Sequence, residues 1–386
     1  MHKIKVGIIG AGFIGPVHIE AVRRLGFAEI VGFADMNQDL ARAKAEQFHI
    51  PQFYDNYDEL INDPEVQVIH NCTPTNLHLE VNRKAILAGK HILSEKPLGM
   101  NATESGEMLD LLATRPGLVH GVNFNYRMYP LALDMKRRIR RRELGKLHLI
   151  HGSFLQDWLL YDTDYNWRIE PEISGATRAI GDLGSHWCDL AQTVTGLKIT
   201  EVFAEFNIIH PVRKKSKTVE TFSLSRELDD YEERVVKTED WAAVLVRFEN
   251  GAKGVFQAGE VSAGRKARLD IEISGAGGSF YWNQEEGDRL WMGHRAEPNQ
   301  VAFRDPNAME ADQRRYALAP AGHPEGWLDS NRNSVIGFYQ AVVAGTPPTP
   351  GAAEYATFHD GHDIMLVTDA IAQSHAEGRW VRVDRN

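Results

Sequence analysis

The stretch Lys5-Val6-Gly7-Ile8-Ile9-Gly10-Ala11-Gly12-Phe13-Ile14-Gly15 decides how the rest of the chain is read. Its apolar part runs on without alternation, as strands do when helices cover both faces of a parallel sheet. Its second part is G-x-G-x-x-G, directly after that strand and at the opening of a helical pattern. Each glycine has a task in such a turn: a tight bend, close backbone approach to a pyrophosphate, and close helix–strand packing. The helix start beyond it offers free N–H groups and a positive dipole end to phosphate. An ordinary glycine turn would explain the motif alone. Asp35 tips the reading towards a dinucleotide: it ends the second apolar run, twenty residues beyond Gly15, where a carboxylate accepts hydrogen bonds from ribose hydroxyls. The same carboxylate would repel a 2′-phosphate. Met36, Asn37 and Gln38 supply no offsetting cation and Arg42 is more than a turn away, so NAD is expected in preference to NADP.

Outward from that motif, short apolar runs alternate with helical patterns through the first 125 residues. Strands are expected at Lys5–Ile9, Glu29–Ala34, Val66–Asn71, His91–Ser94 and Leu118–Val122, with helices starting near Ile14, Asp39, Asn76 and Thr103. This spacing indicates βαβ units and a parallel sheet. After Tyr126 strand-like segments dominate: Leu147–Phe154, Thr200–Ile209, Ala242–Phe248, Gly254–Val261, Leu269–Ser274 and Ser279–Trp282. Glycines between several of them predict an antiparallel meander. Val212–Asp240, dense in mixed charge, reads as a long exposed loop or a partly disordered insertion. Two helices, near Trp327–Ala344 and Phe358–Glu377, close the chain. The fold class is therefore α/β: a dinucleotide-binding domain over 1–125, then an α+β domain over 126–386 built on a large open, mainly antiparallel sheet.

Composition sets the outer bounds. The chain has 386 residues, is 43% hydrophobic and 25% charged, and so resembles an ordinary two-domain globular protein. Its formal charge of −10 argues against binding nucleic acid through phosphate neutralisation. Cys72 and Cys188 are too few for a disulfide framework and fit a reducing, cytoplasmic setting. The nearly uncharged Val6–Val17 is too short to span a bilayer, which takes about 20 apolar residues, and no membrane segment is expected.

Three further motifs carry chemistry. Cys72-Thr73-Pro74-Thr75-Asn76-Leu77-His78 and Glu95-Lys96-Pro97 each follow a strand, where open α/β sheets place ligands. In the second domain stands Gly181-Asp182-Leu183-Gly184-Ser185-His186-Trp187-Cys188-Asp189. Leu183, Trp187, Leu190 and Val194 fall on one helical stripe, with Asp182, His186 and Asp189 on a polar strip beside it. The i, i+4 spacing brings Asp182 and His186 to one face. Plainer readings exist: Lys96 as a solvated loop cation, Asp182 as a helix cap, His186 as a half-buried surface residue.

Taken together, G-x-G-x-x-G with Asp35, Thr73-Pro74 with His78, Glu95-Lys96-Pro97 and Asp182-x-x-x-His186 resemble the glucose–fructose oxidoreductase / inositol dehydrogenase (Gfo/Idh/MocA) family. The likeness extends to Asn125-Tyr126-Arg127 with Pro130, Trp167-Arg168 and Phe358-His359-Asp360-Gly361. It implies a Rossmann domain that binds NAD through Gly10, Gly12, Phe13, Ile14, Gly15, Asp35, Thr73, Pro74, Asn76, His78, Glu95 and Lys96. It further implies a catalytic triad of Lys96, Asp182 and His186 that oxidises a secondary hydroxyl of a sugar or cyclitol. The peptide before Pro97 is implied to be cis, which would aim Lys96 into the cleft, and homodimers or homotetramers are implied. Two alternatives stay open: a redox-type glycosidase that keeps its NAD, and a non-catalytic sugar sensor.

Substrate contacts are expected from Asn125, Tyr126, Trp167, Arg168, Asp182, His186 and His323, since aromatic faces and forked donors suit polyols. Packing explains Trp167 and Arg168 nearly as well, and His323-Pro324-Glu325-Gly326-Trp327 also reads as a helix entry. Lys136-Arg137-Arg138 and Arg140-Arg141-Arg142 look like a nucleic-acid patch but fit one solvated helix face better. A metal site at Asp182, His186 and His78 is disfavoured, with Lys96 nearby and no ligand motif.

Overall fold

The computed structural model describes residues 3–216 and 231–385. The chain divides into two compact units, Met1–Met128 with Trp327–Met365, and Tyr129–Gly326 with Leu366–Asn386.

The first unit alternates β1 (Ile4–Ile9), α1 (Ile14–Arg23), β2 (Ala28–Ala34), α2 (Gln38–Gln47), β3 (Gln52–Tyr54), α3 (Tyr57–Asn62), β4 (Val68–Asn71), α4 (His78–Leu87), β5 (His91–Ser94), α5 (Ala102–Ala113) and β6 (His120–Val122). Its six strands are parallel in the order β3-β2-β1-β4-β5-β6. This is the doubly wound order of a dinucleotide-binding sheet, with its switch point between β1 and β4. β3 and α3 are additions to the expected pattern, being only three and six residues long and so too short to show a period. Val6, Ile8, Val68 and Leu93 are fully buried, which is why their runs do not alternate.

The remainder comprises α6 (Pro130–Arg140), β7 (Leu147–Leu155), α7 (Pro171–Ser174), α8 (Ser185–Thr195), β8 (Ile199–Asn207), β9 (Val212–Ser216), β10 (Tyr231–Val235), β11 (Trp241–Phe248), β12 (Lys253–Gly259), β13 (Arg268–Gly275), β14 (Gly278–Asn283), β15 (Arg289–Gly293), β16 (Gln300–Phe303), α9 (Trp327–Ala344), α10 (Phe358–Glu377) and β17 (Val381–Arg382). One nine-stranded sheet runs β16-β15-β14-β13-β7-β12-β11-β8-β17. Seven neighbouring pairs are antiparallel and one, β7 with β12, is parallel. The expected meander is therefore interrupted: β7, early in sequence, lies between β12 and β13. Val244, Phe256, Ile271 and Trp282 face a buried side with α8, whose Trp187 stacks on Phe256 at 4.4 Å.

Two expectations change. The ends of Val212–Asp240 are ordered: β9 and β10 pair as an antiparallel hairpin, and Arg213, Glu239 and Asp240 are buried. Residues 217–230 of that segment lie outside the described residues. Trp327–Met365, placed by the sequence in the second domain, belongs with the first unit. The reason is its apolar face: Val335, Phe338, Tyr339 and Tyr355 complete the core around Val6, Ile8, Ile19 and Val68. Among the described residues, no helix is long and apolar enough to cross a membrane.

Candidate active site

In the first unit, three motifs stand at the carboxyl ends of the adjacent strands β1, β4 and β5. Gly10 has φ +111°, and a Cβ there would lie 2.4 Å from the Cys72 carbonyl oxygen of the neighbouring strand. A Cβ at Gly15 would lie 2.3 Å from the Gly10 carbonyl oxygen, so both positions need glycine to close the turn. Gly12 differs: nothing in the chain lies within 4 Å of where its Cβ would be. Its bare backbone faces open space, as close approach of a phosphate requires. Asp35 Oδ2 accepts from the Ala11 N–H at 2.7 Å and Oδ1 from the Asn37 N–H at 2.8 Å. Its carboxylate thus ties the glycine turn to the end of β2 and stands where ribose hydroxyls would be read. Phe13 is 61% exposed and stacks on Trp327 at 5.7 Å, while Ile14 is half-buried at the start of α1. These residues fit a dinucleotide.

Thr73 and Pro74 are half-buried after β4, and Asn76 is exposed on a single 3₁₀ turn, Thr75–Leu77. His78 is buried and spends both ring nitrogens on the chain itself. Nδ1 lies 2.7 Å from the Pro97 carbonyl oxygen and Nε2 3.0 Å from that of Thr73. It joins the two loops instead of offering a nitrogen to a ligand. Burial lowers its pKa although both carbonyls favour the charged ring. The Lys96–Pro97 peptide is cis, as the resemblance implies.

Beneath Lys96 lies a buried network that the sequence did not reveal. Glu95 Oε1 is 2.8 Å from His18 Nε2 and accepts from Asn123 Nδ2 at 2.7 Å, and Glu95 Oε2 accepts from the Lys96 N–H at 3.2 Å. His18 Nδ1 meets His70 Nδ1 at 2.8 Å, and His70 Nε2 meets the Tyr339 hydroxyl at 3.0 Å. Burial opposes charge on His18, but Cys72 and Glu95 outweigh it and raise its pKa to about 10. Burial pushes the Cys72 thiol up, so the Glu95 carboxylate is the charge that keeps His18 protonated. Burial and the neighbouring His18 drive His70 well below its ordinary value. The proton order follows: charged His18 donates to neutral His70, which donates to Tyr339. Asn125 donates to Ser330 Oγ at 3.0 Å, and Tyr126 is buried beside it.

In the second unit the expected single helix divides in two. A π-helical turn, Ile180–Gly184, carries Asp182, and α8 begins at Ser185 with His186 in its first turn. Such turns recur at functional sites. Leu183, Trp187, Leu190 and Val194 are all buried, as their stripe predicts. His186 is also buried, with its ring 6.0 Å from Phe154, and so is not half-exposed. Asp182 is not a helix cap, since neither the start of the turn nor the start of α8 has a side-chain cap. Its Oδ1 instead lies 3.3 Å from Arg168 Nε, and the Arg168 guanidinium sits 4.4 Å over the Trp167 ring. The structure thus brings Trp167, Arg168 and Asp182 together. His323 is exposed; the buried Arg304 binds its carbonyl, the Ala319 carbonyl at 2.7 Å and Asp288 at 2.8 Å.

The arginine-rich stretch is α6 and its end. Arg137 pairs with Asp312 at 2.6 Å and Glu310 at 3.1 Å, and Arg138 pairs with Asp134 at 2.7 Å. Arg137, Arg138 and Arg141 are thus answered by carboxylates of the chain itself. Among the described residues, no three His, Cys, Asp or Glu side chains gather as metal ligands would.

Comparison with known proteins agrees with this geometry. Residues 4–124 match the oxidoreductase family with an NAD-binding Rossmann fold, and residues 132–281 match the GFO/IDH/MocA C-terminal domain. Levoglucosan dehydrogenase of Pseudarthrobacter phenanthrenivorans is 30% identical over 410 residues, covering 99% of each chain. Myo-inositol 2-dehydrogenase of Thermotoga maritima is 24% identical over 382 residues, again covering 99% of each. A solved levoglucosan dehydrogenase in complex with NADH and levoglucosan superposes with a TM-score of 0.88 at 28% identity, covering 100% of both chains. The chain is an oxidoreductase of the Gfo/Idh/MocA family, with an NAD-binding Rossmann domain at its N-terminus.

Proposed function

We propose that this protein is an NAD-dependent dehydrogenase that oxidises a secondary hydroxyl of a sugar or cyclitol. The observation that carries the reading is the joint presence of Lys96 after β5 and of Asp182 and His186 on the π-turn and first turn of α8. These stand in a chain similar from end to end to a levoglucosan dehydrogenase.

Oxidising a secondary alcohol requires a base for the hydroxyl proton while hydride leaves the same carbon. His186 takes that proton, because imidazole titrates near neutrality. Lys96 hydrogen-bonds the same oxygen and stabilises the developing negative charge. Asp182 orients His186 and stabilises its protonated form, and Arg168, 3.3 Å from Asp182, helps to hold that carboxylate in place. When bound, NAD accepts the hydride at its nicotinamide ring. Gly10, Gly12, Gly15 and Asp35 hold the dinucleotide, with Thr73, Pro74, Asn76, Glu95 and Lys96 lining the same strand ends. Asn125, Tyr126, Trp167, Arg168 and His323 complete the substrate contacts. NAD is preferred over NADP because Asp35 is followed by the exposed, uncharged Met36, Asn37 and Gln38.

NADH formation measured over levoglucosan, myo-inositol and simple sugars tests this. Accumulating NADH is the expected result. Glycoside cleavage without NADH would replace this reading with a redox glycosidase, and binding without turnover would replace it with a sensor. His186→Ala and Lys96→Ala should each lower kcat by about 10²–10⁴-fold while NADH still binds. Normal turnover in either variant removes that residue from the mechanism. A lower KM for NADP than for NAD would overturn the cofactor preference.

We also infer a cytoplasmic homodimer or homotetramer. Supporting the oligomer is a row of side chains paired across the open face of the large sheet: Phe203, Leu245, Val255, His151, Glu272, Tyr281, Trp291 and Val301. Leu245, Val255 and Val301 are each more than 40% exposed. Supporting the compartment, Cys72 and Cys188 are both buried and form no disulfide.

A further inference from the structure

The π-turn that carries Asp182 begins without a local cap. Ala179 stands at its N-cap and has no side chain able to accept a hydrogen bond. The first N–H groups of any helical turn have no intrahelical acceptor. Here the Ile180 N–H, and the Arg178 N–H just before the turn, are taken by one distant carboxylate. Glu239 Oε1 accepts from the Ile180 N–H at 2.8 Å and from the Arg178 N–H at 3.0 Å, and Oε2 lies 3.1 Å from the same Arg178 nitrogen. The Arg178 carbonyl in turn accepts from the Asp182 N–H at 2.7 Å.

Arg178 is itself fixed. Its guanidinium pairs with Asp240 and lies 3.4 Å from Glu260, and Asp240 also accepts from Arg213 at 2.6 Å. Arg178, Arg213, Glu239, Asp240 and Glu260 are all buried. Burial pushes the Glu260 carboxyl up to about 8, with Asp182 and Glu239 adding to the rise against Arg178. Asp240 lies between the two cations, and Arg178 and Arg213 hold it below its ordinary value despite burial, whereas burial pushes Glu239 up as it does Glu260. Burying so many charges is a poor route to stability, since apolar replacements of similar volume are often as stable. What the cluster does supply is a fixed position for the chain that enters the Asp182–His186 turn.

We propose that Glu239, at the end of the 212–240 segment, is a positioning residue that sets the register of the turn bearing Asp182 and His186, with Asp240 holding Arg178 in place for it. This rests on the catalytic roles proposed above for Asp182 and His186. A slip of one residue at the start of the turn would rotate both side chains by about 100° about the helix axis.

Glu239→Gln, Glu239→Asp and Glu239→Ala in the full chain test it, read by kcat with NAD and the sugar panel, NADH affinity, and NMR titration of the His186 imidazole. Gln keeps a carbonyl oxygen where Oε1 sits, whereas Asp keeps the charge but withdraws it by one methylene. The expected order is therefore Gln near wild type, with Asp and Ala down by about 10²-fold in kcat, the loss typical of a 1 Å displacement. NADH affinity should hold, and the His186 titration should shift in Asp and Ala and return in Gln. Folded Asp or Ala variants with wild-type kcat and an unmoved His186 titration overturn the proposal. So does Asp outperforming Gln, which would mean that charge and not position is what Glu239 supplies. Asp182→Ala and His186→Ala run in parallel. If both turn over normally, the catalytic reading fails, while the His186 titration still decides the positioning on its own.

Discussion

At the scale of single residues, the His18–Glu95 pair is the most informative contact in the first unit. His18 is raised to about 10 in the folded chain against an ordinary value of about 6.5. Its stabilisation is therefore complete below pH 6.5 and is lost as pH rises through 10. Glu95 moves the other way: burial would raise it, but His18 holds it below the ordinary value, so its contribution is lost on acidification. Breaking one side of such a buried pair costs about 3–5 kcal/mol. Thermal denaturation of His18→Gln should show its largest deficit against wild type near pH 6, narrowing steadily towards pH 10. A deficit that stays constant across that range would mean that His18 is neutral in the folded chain. None of this was legible in the sequence. His18 sits inside an amphipathic helix pattern, and its partners His70, Cys72, Glu95 and Asn123 are supplied by chain crossings that no local period records.

At the scale of elements, α9 shows how a helix can be read correctly and assigned to the wrong body. Its span agrees with the expected Trp327–Ala344. Its partners could not be read, because an apolar stripe specifies a buried face without naming what buries it. Phe338 and Tyr339 are fully buried against the first unit, with Phe338 6.5 Å from His70 and 5.9 Å from Tyr355. Phe338→Ala should cost about 3–5 kcal/mol. Hydrogen exchange should then rise in β1, α1 and β4, far away in sequence. A rise confined to residues 129–326 would return α9 to the second unit. The π-turn is the complementary case: the stripe of α8 was read correctly, but the break before Ser185 depends on Glu239 and Arg178 and has no signature in spacing.

At the scale of the whole molecule, the large sheet leaves one face under α8 and the other open, with Leu149, Leu245, Val255, Val301 and Phe303 exposed on its strands. Exposed apolar surface of this extent marks an interface more often than free surface. Sedimentation of the wild type should report a dimer or tetramer, and Leu245→Lys with Val255→Lys should dissociate it, since two adjacent charges would then need burying. A wild type that sediments as a monomer at micromolar concentration would remove the oligomer from the proposal.

What the sequence determined by itself is what short-range pattern encodes. That covers the strand–turn–helix at Gly10–Gly15, the Asp35 carboxylate, the parallel and antiparallel halves, and the motifs around Lys96, Asp182 and His186. A turn or a helical face depends on residues a few positions apart, and their spacing is written directly in the chain. The tertiary structure alone decided the insertion of β7 between β12 and β13, the return of α9 to the first unit, and the role of His78 as a tie between loops. It also decided the burial of Glu239, Asp240 and Arg213 at the ends of a segment whose charge reads as solvated. These depend on which distant groups meet once water is excluded, and there the need to pair every buried charge and polar group, not local spacing, selects the partner.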